Sequence, residues 1–400
     1  MHAANHKNFL ANWTEEKYAK FVHDVDTATQ FPSEFRLCET PVFFTDEFSK
    51  LLLAAGADIV HQLQSKKVMD HSKSGVPEGE EVPRCDDHPA FIQIDFAVAD
   101  VEGQLLPQLI ELQGFASMFC FQTLLDRKYR SNFSIPEGQS CYWSGLDEES
   151  YLALLKKTIV QDADPKAVFL MEIEPEKQRT RIDFSATLEL LGIPWVCISD
   201  IKKDGRKLLA PLNGELRPIE RIYNRVIFDE LKNFKKPREF NMIDDVDVEW
   251  VAHPNWFHKF SKHTLPALSS SFAPECYTLD QLDSEFDQDL AGYIMKPLYS
   301  FAGAGVNLNP TMQDIKAIHL QGENVSRSYL LQKRVKYAEF LETPAGNRKA
   351  EIRLMYFWDD KPVLANTLVR VSKGLMSSVS KNLVDTWVGA TTGYHNQEVR

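Results

Sequence analysis

No stretch of this 400-residue sequence is apolar for the ~20 residues that a helix needs to cross a bilayer. Cysteine is sparse. The six residues (Cys38, Cys85, Cys120, Cys141, Cys197 and Cys276) are scattered and form no CxxC pair, so neither a disulfide framework nor a zinc site is expected. They read as buried thiols of a reducing compartment. Positive charge is also in deficit: 45 Lys and Arg against 57 Asp and Glu give a net charge of -12. That argues against nucleic acid or an anionic membrane as the main partner, while leaving room for a local basic pocket. The opening "MHAANHKNFLANWTEEKYAKF" lacks a basic segment followed by an apolar one, so secretion is not indicated and a cytoplasmic location is expected. Internal repeats and low-complexity segments are absent. His253, His258 and His263 are spaced by five, which does not place them on one helical face, so they are not read as a metal site.

What is present is ordinary globular composition, 44% apolar and 26% charged, in a chain long enough for two or three domains. Residues 1–83 read as a helical region and loop, with "TDEFSKLLLAAGADIVHQLQ" as the clearest amphipathic segment, capped by Thr45. In residues 84–146, "FIQIDFAVADVEGQLLPQLIELQGF" has the alternation of two strands joined by a turn, with Pro107 suited to an edge or bulge. Residues 147–235 read as a parallel α/β segment: a helix "DEESYLALLKKTIV", a strand "AVFLMEI", a helix ended by Gly192 and a strand "PWVCISD". Residues 236–400 read as α+β with much antiparallel strand, including "YIMKPLYSFAGAGV", "YLLQKRV", "EIRLMYFW" and "VLANTLVRVS".

Four features carry candidate chemistry. With the turn centred on Gly103, Asp95 and Glu111 face each other across the hairpin, and Gln113 lies two residues further on the same face. Carboxylates so placed have Cβ atoms only ~5 Å apart and repel, each raising the other's proton affinity. A divalent cation such as Mg²⁺ would offset that; a solvated polar face with Arg or Lys neighbours accounts for the spacing as well. Second, Lys296 ends a strand that enters a loop with Ser300, Gly303 and Gly305, where glycine amides can approach phosphate; an ordinary glycine turn explains the same string. It is not a P-loop, whose lysine follows the glycines. Third, Lys262 precedes the run "HTLPAL". Fourth, Arg225, Arg353 and Arg370 interrupt apolar strand-like runs, where a guanidinium either reaches solvent or needs an anion.

Together, and in this order, these segments resemble the circularly permuted ATP-grasp proteins, particularly the glutathionylspermidine synthase-like branch, over roughly residues 84 to 400. That resemblance implies that Asp95, Glu111 and Gln113 ligate Mg²⁺, and that Lys262 and Lys296, with the glycine loop, hold the phosphates of ATP. The segment Gln332, Lys333, Arg334 and Val335 is similar to the family's adenine-contacting hinge. The expected fold is therefore α+β and α/β: a permuted ATP-grasp module with an inserted parallel segment of pre-ATP-grasp type and an N-terminal helical region. The hairpin and the strands after Lys296 should share one module. The chain departs from the family in having Gln113 where asparagine is usual and no arginine in the glycine loop. The implied activity is Mg-ATP-dependent joining of an amino-acid- or peptide-like acid to an amine through an acyl phosphate. Arg225, Arg353 or Arg370 would orient the acid or stabilise the oxyanion. The alternative is a nucleotide-binding or scaffolding protein of the same fold without turnover.

Overall fold

The computed structural model describes residues 2–282, 289–299, 305–374 and 385–399. Two short helices, Ala3–Asn12 and Glu15–Asp26, lead to strand β1 (Val42–Phe43) and helix Asp46–Leu63. Thr45 caps that helix, its hydroxyl accepting from the Phe48 amide at 3.2 Å. The hairpin follows as β2 (Phe91–Val101) and β3 (Gln104–Gln113), then helix Phe119–Asn132 and β4 (Gln139–Ser140). Helix Glu148–Val160 begins in a capping box at Asp147 and leads to β5 (Val168–Glu172). Helix Arg181–Leu191 ends at Gly192, whose φ of +74° relieves the terminus, before β6 (Trp195–Cys197). A small meander β7 (Lys202–Asp204), β8 (Lys207–Leu212) and β9 (Glu215–Pro218) precedes β10 (Arg221–Asn224) and β11 (Glu249–Val251). The last third supplies β12 (Cys276–Thr278), β13 (Tyr293–Pro297), β14 (Tyr329–Lys333), β15 (Lys349–Trp358), β16 (Pro362–Ser372) and β17 (Gly389–Asn396).

These strands form a mixed α+β fold with four sheets among the described residues. The largest has the order β1-β17-β16-β15-β2-β3, with β4 beside β17; β1 joins it in parallel and the rest pair antiparallel. A parallel sheet has the order β11-β10-β5-β6. β13 and β12 flank β14 in a third sheet. The hairpin thus shares its sheet with β15–β17, far along the chain. Two of the expected boundaries are crossed. β1 and helix Asp46–Leu63, from the first 83 residues, are built into the large sheet and its core, and β11, beyond residue 235, completes the parallel sheet. Among the described residues no helix is long and apolar enough to cross a membrane. All six cysteines are free.

The register of the hairpin has a local cause. Glu102 and Gly103 both have positive φ (+52° and +83°), as a two-residue primed turn requires. Such a turn alone would set Asp95 opposite Ile110. A bulge at Ile110 shifts the pairing, so that Phe96 faces Leu109 but Asp95 faces Glu111. Leu109 and Leu112 can then both point into the core with Ile94 and Phe96. Pro107 is tolerated because β3 is an edge strand, one covered by residue 272, whose carbonyl accepts from the Leu109 amide at 2.7 Å.

One face of the large sheet (Ile94, Phe96, Ile352, Leu354, Val369) packs on helix Asp46–Leu63. The other packs on helix Phe119–Asn132 only at one end, through Phe91, Met355, Phe357 and Leu368. Beyond that cover the same face carries Asp95, Glu111, Glu351, Arg353 and Arg370.

Helix Asp46–Leu63 lies so close to β15 that a Cβ on Gly56 would sit 2.2 Å from Tyr356 Oη and 2.8 Å from Leu354 Cδ1. Gly56→Ala gains about 1 kcal/mol of helix propensity but forces an overlap that costs about 1–3 kcal/mol. We expect net destabilisation in urea denaturation, partly recovered in Gly56→Ala/Tyr356→Phe. Stability equal to wild type in the single variant would contradict the close packing.

Candidate functional site

On the part of this sheet face beyond helix Phe119–Asn132, Arg353 of β15 stands directly opposite Asp95 of β2. Its guanidinium grips the carboxylate with both arms, Nε to Oδ1 at 2.6 Å and Nη2 to Oδ2 at 2.7 Å. Its Nη1 donates to Gln93 Oε1 at 2.9 Å. Arg370, one strand further on β16, adds a second cation: Nη2 lies 2.6 Å from Asp95 Oδ2 and 3.0 Å from Glu351 Oε2. Tyr337 donates to the other oxygen of Glu351. Burial alone would push the Asp95 carboxyl up, but the Arg353 and Arg370 guanidiniums hold it down at about 2.

Two lysines complete the cluster. Lys262, at the start of the short 3₁₀ helix Lys262–Ala267, places Nζ 3.6 Å from Glu111 Oε1. Lys296, at the end of β13, is buried and donates to the carbonyl of Ile110, the bulge residue, at 3.4 Å. Burial lowers its proton affinity, opposed by nearby Glu111 and reinforced by Lys262. Four cations therefore stand among three carboxylates.

The expected repulsion between Asp95 and Glu111 does not govern this site. The two are paired across the hairpin as foreseen, but each carboxylate has its own cation, and Asp95 gives up its proton more readily than usual, not less. The fit to Mg²⁺ fails for the same reason. Both oxygens of Asp95 accept from arginine, and among the described residues no three His, Cys, Asp or Glu side chains are grouped to hold a metal. Gln113 is half-buried opposite Gln93, two pairs along from Asp95.

The remaining nucleotide candidates divide. Gly305 has φ +72° and packs against Pro297, where a Cβ would come within 2.8 Å of Cγ; Asn307 then pairs back with Met295. Ser300 and Gly303 lie outside the described residues. Gln332 is buried in β14, with Nε2 3.4 Å from the Leu109 carbonyl and Oε1 buried without a partner. Lys333 is exposed and faces Glu275 at 3.6 Å, and Val335 is half-buried past the strand end.

Arg225 is not in this cluster. It follows β10 in the parallel sheet, where its Nη1 bonds Asp183 Oδ2 at 2.8 Å and its guanidinium lies over the rings of Phe115 and Phe184. Asp183 also accepts from the Met118 and Phe121 amides at 2.9 Å each, which ties down the start of helix Phe119–Asn132. All three candidate arginines are thus in internal ion pairs. Beside Arg225, at the end of β5, is Glu172, a buried carboxyl whose bond to the Ile173 amide (2.7 Å) is local. Burial pushes it up to about 8, only partly offset by Arg225. Glu230 is also raised, chiefly by burial, although Gln178 donates to it at 3.3 Å. From β5 the chain moves to β6 on one side and returns to β10 and β11 on the other, so Glu172 and Arg225 flank the point where strand order reverses, a favoured ligand position in parallel sheets. A buried relay connects the two places: Arg353 to Gln93, Gln93 Nε2 to the Ser117 carbonyl (2.6 Å), and Ser117 Oγ to Arg225 (3.3 Å).

Glu172, Gln93, Glu351 and Tyr337 were not singled out in the sequence. Glu172 was the one with a signal, a lone carboxylate closing the apolar run "AVFLME".

Searches with the whole chain found no matching family model and no matching curated protein.

Two substitutions test the electrostatics, with opposite signs. Asp95→Asn leaves the buried guanidinium of Arg353 and the half-buried one of Arg370 short of charge and should cost about 3–5 kcal/mol at neutral pH. Because the folded-state value is depressed from 3.8 to about 2, the wild-type advantage is present above 3.8 and fades as pH falls through 2. Denaturation curves showing a pH-independent penalty would contradict the pairing. For Glu172 the folded value is raised from 4.5 to about 8, so wild type loses stability as pH rises through that window. Glu172→Gln, which does not titrate, should gain on wild type across it by at most about 1.4 kcal/mol per pH unit. A flat difference between the two proteins would show that Glu172 is solvated.

Proposed function

We propose that the chain is an ATP-dependent carboxylate–amine ligase whose phosphate site is the polar face of the large sheet. The observation that carries this reading is the convergence of Lys262, Lys296, Arg353 and Arg370 on that face, from four elements separated in sequence. More positive than negative groups in a protein of net charge -12 favours an anionic ligand there. The β13–β14 pair with Gln332 would receive the base. The order of the segments, carboxylate hairpin first and lysine strand later, is what supports a permuted ATP-grasp module.

In this scheme a carboxylate oxygen of the acid attacks the γ-phosphorus, the bond to the β-phosphate oxygen breaks, and ADP leaves. The amine nitrogen then attacks the acyl carbon of the acyl phosphate, and the tetrahedral intermediate collapses with release of phosphate and a proton. Lys262 and Lys296 neutralise the phosphates, and Arg370 stabilises charge that develops on the transferring group while Arg353 keeps hold of Asp95. The acid is small and amino-acid- or peptide-like. The switch point of the parallel sheet supplies the second pole: Glu172 and Glu230 have no ion-pair partner among the described residues, Arg225 offsets their burial only in part, and an ammonium substrate would add a second cation. No step here requires a protein-bound metal. One observation favours the alternative, an ATP-binding or scaffolding protein without turnover: Arg225, Arg353 and Arg370 are each engaged by a carboxylate of the chain itself.

ADP release measured against a panel of amino acids and polyamines separates the readings. A ligase releases ADP over many turnovers only when acid and amine are both present, with at most a single turnover on acid alone; ATP binding with no release from any pair supports the scaffold. Lys296→Met should weaken ATP binding about tenfold or more by calorimetry, as expected for loss of a charged hydrogen bond. Lys333→Met, exposed and outside the cluster, should weaken it less. Equal affinity in wild type and Lys296→Met would remove the phosphate assignment.

A further inference from the structure

The carboxylate that the metal reading needs is already occupied by the chain, and the two arginines that occupy it are not held equally. Arg353 is fixed. It makes two bonds to Asp95 and one to Gln93, and its side chain is only 8% exposed. Arg370 reaches Asp95 and Glu351 through the single nitrogen Nη2, its side chain is 21% exposed, and its Nε is buried without a partner. Three of the roughly four acceptor positions of Asp95 are filled. A free dication approaching Asp95 would have to displace a guanidinium while facing the charges of Lys262 and Lys296. A polyanion meets the opposite situation. It offers Arg370 a better partner, and the unpaired Nε gives that guanidinium a donor to spend on it.

Resting on the reading of this face as a phosphate site, we infer that Asp95 is latched by Arg353 and Arg370 in place of a metal. The first ligand of the site is then a polyphosphate, which draws Arg370 off Asp95, and not a divalent cation. Arg370 is the moving part of the latch and Arg353 its fixed part. Glu351 keeps the Tyr337 hydroxyl as a donor when Arg370 leaves.

The test uses the full chain with two probes, Mn²⁺ followed by electron paramagnetic resonance and inorganic tripolyphosphate followed by calorimetry. Wild-type protein with Mn²⁺ alone should show no stoichiometric bound ion. Tripolyphosphate should bind in the presence of EDTA, with no divalent cation required. Arg370→Gln should hold tripolyphosphate about tenfold more weakly. Stoichiometric Mn²⁺ on wild type alone, lost in Asp95→Asn, with tripolyphosphate binding intact, would overturn the latch and leave the phosphate site standing. Failure of tripolyphosphate to bind would overturn both. The wild-type arms decide the matter even where Arg370→Gln fails to fold.

Discussion

A carboxylate buried in the middle of a sheet face has to be given cations by the strands beside it. Asp95 is nearly inaccessible, and an isolated charge at such a position would be lost to protonation or would destabilise the fold by several kcal/mol. β15 and β16 answer that demand with Arg353 and Arg370, and much of the surrounding geometry follows. The three strands must hold one register, since a slip of one residue would turn every polar side chain into the apolar layer beneath helix Asp46–Leu63. The bulge at Ile110 brings Glu111 onto the same face while keeping Leu109 and Leu112 in the core, and it exposes the carbonyl that receives Lys296. The phosphate candidates are therefore positioned as a consequence of burying one acid.

The same economy of partners links the large sheet to the parallel one. Gln93, two residues before Asp95 on the same face, passes from Arg353 to the Ser117 carbonyl, and Ser117 reaches Arg225. Asp183 both neutralises Arg225 and caps helix Phe119–Asn132. Every charged group along this path has a partner until Glu172, which has no cation of its own. Buried pairs of this kind contribute little net stability compared with apolar packing, but breaking one is costly, so they fix arrangement more than they add strength. Burial keeps Glu172 protonated up to about 8, so it becomes a charge at neutral pH only when a cation is brought beside it.

Much of this was legible in the sequence wherever one local pattern decides the outcome. Alternation in "FIQIDFAV" with the Glu102-Gly103 turn located the hairpin, and Gly192 and Thr45 marked helix ends through their backbone requirements. The pairing of Asp95 with Glu111 was reached by counting from Gly103; the real turn is centred half a residue earlier and the bulge restores the match. Arginine within apolar runs correctly signalled a need for anions. What could not be read was which anion. Arg353 and Arg370 lie 258 and 275 positions from Asp95, and only the sheet order brings them together. The facing carboxylates fitted a metal pair and a polar face with arginine or lysine neighbours equally well, and the structure supplies the arginine and lysine neighbours. The membership of β1 and β11 in sheets built mainly from other segments was hidden similarly, because two or three residues of strand carry almost no periodic signal.

The central claim is that the polar face beside β13 and β14 takes the phosphates of a nucleotide. Hydrogen–deuterium exchange with and without a non-hydrolysable ATP analogue tests it most directly, because it needs neither a known acid nor a known amine. The account predicts slowed exchange in 293–297, in 329–335 and around the bulge at 109–111, with little change in the meander 202–218. Protection confined to the parallel sheet, or none at saturating analogue, would contradict it.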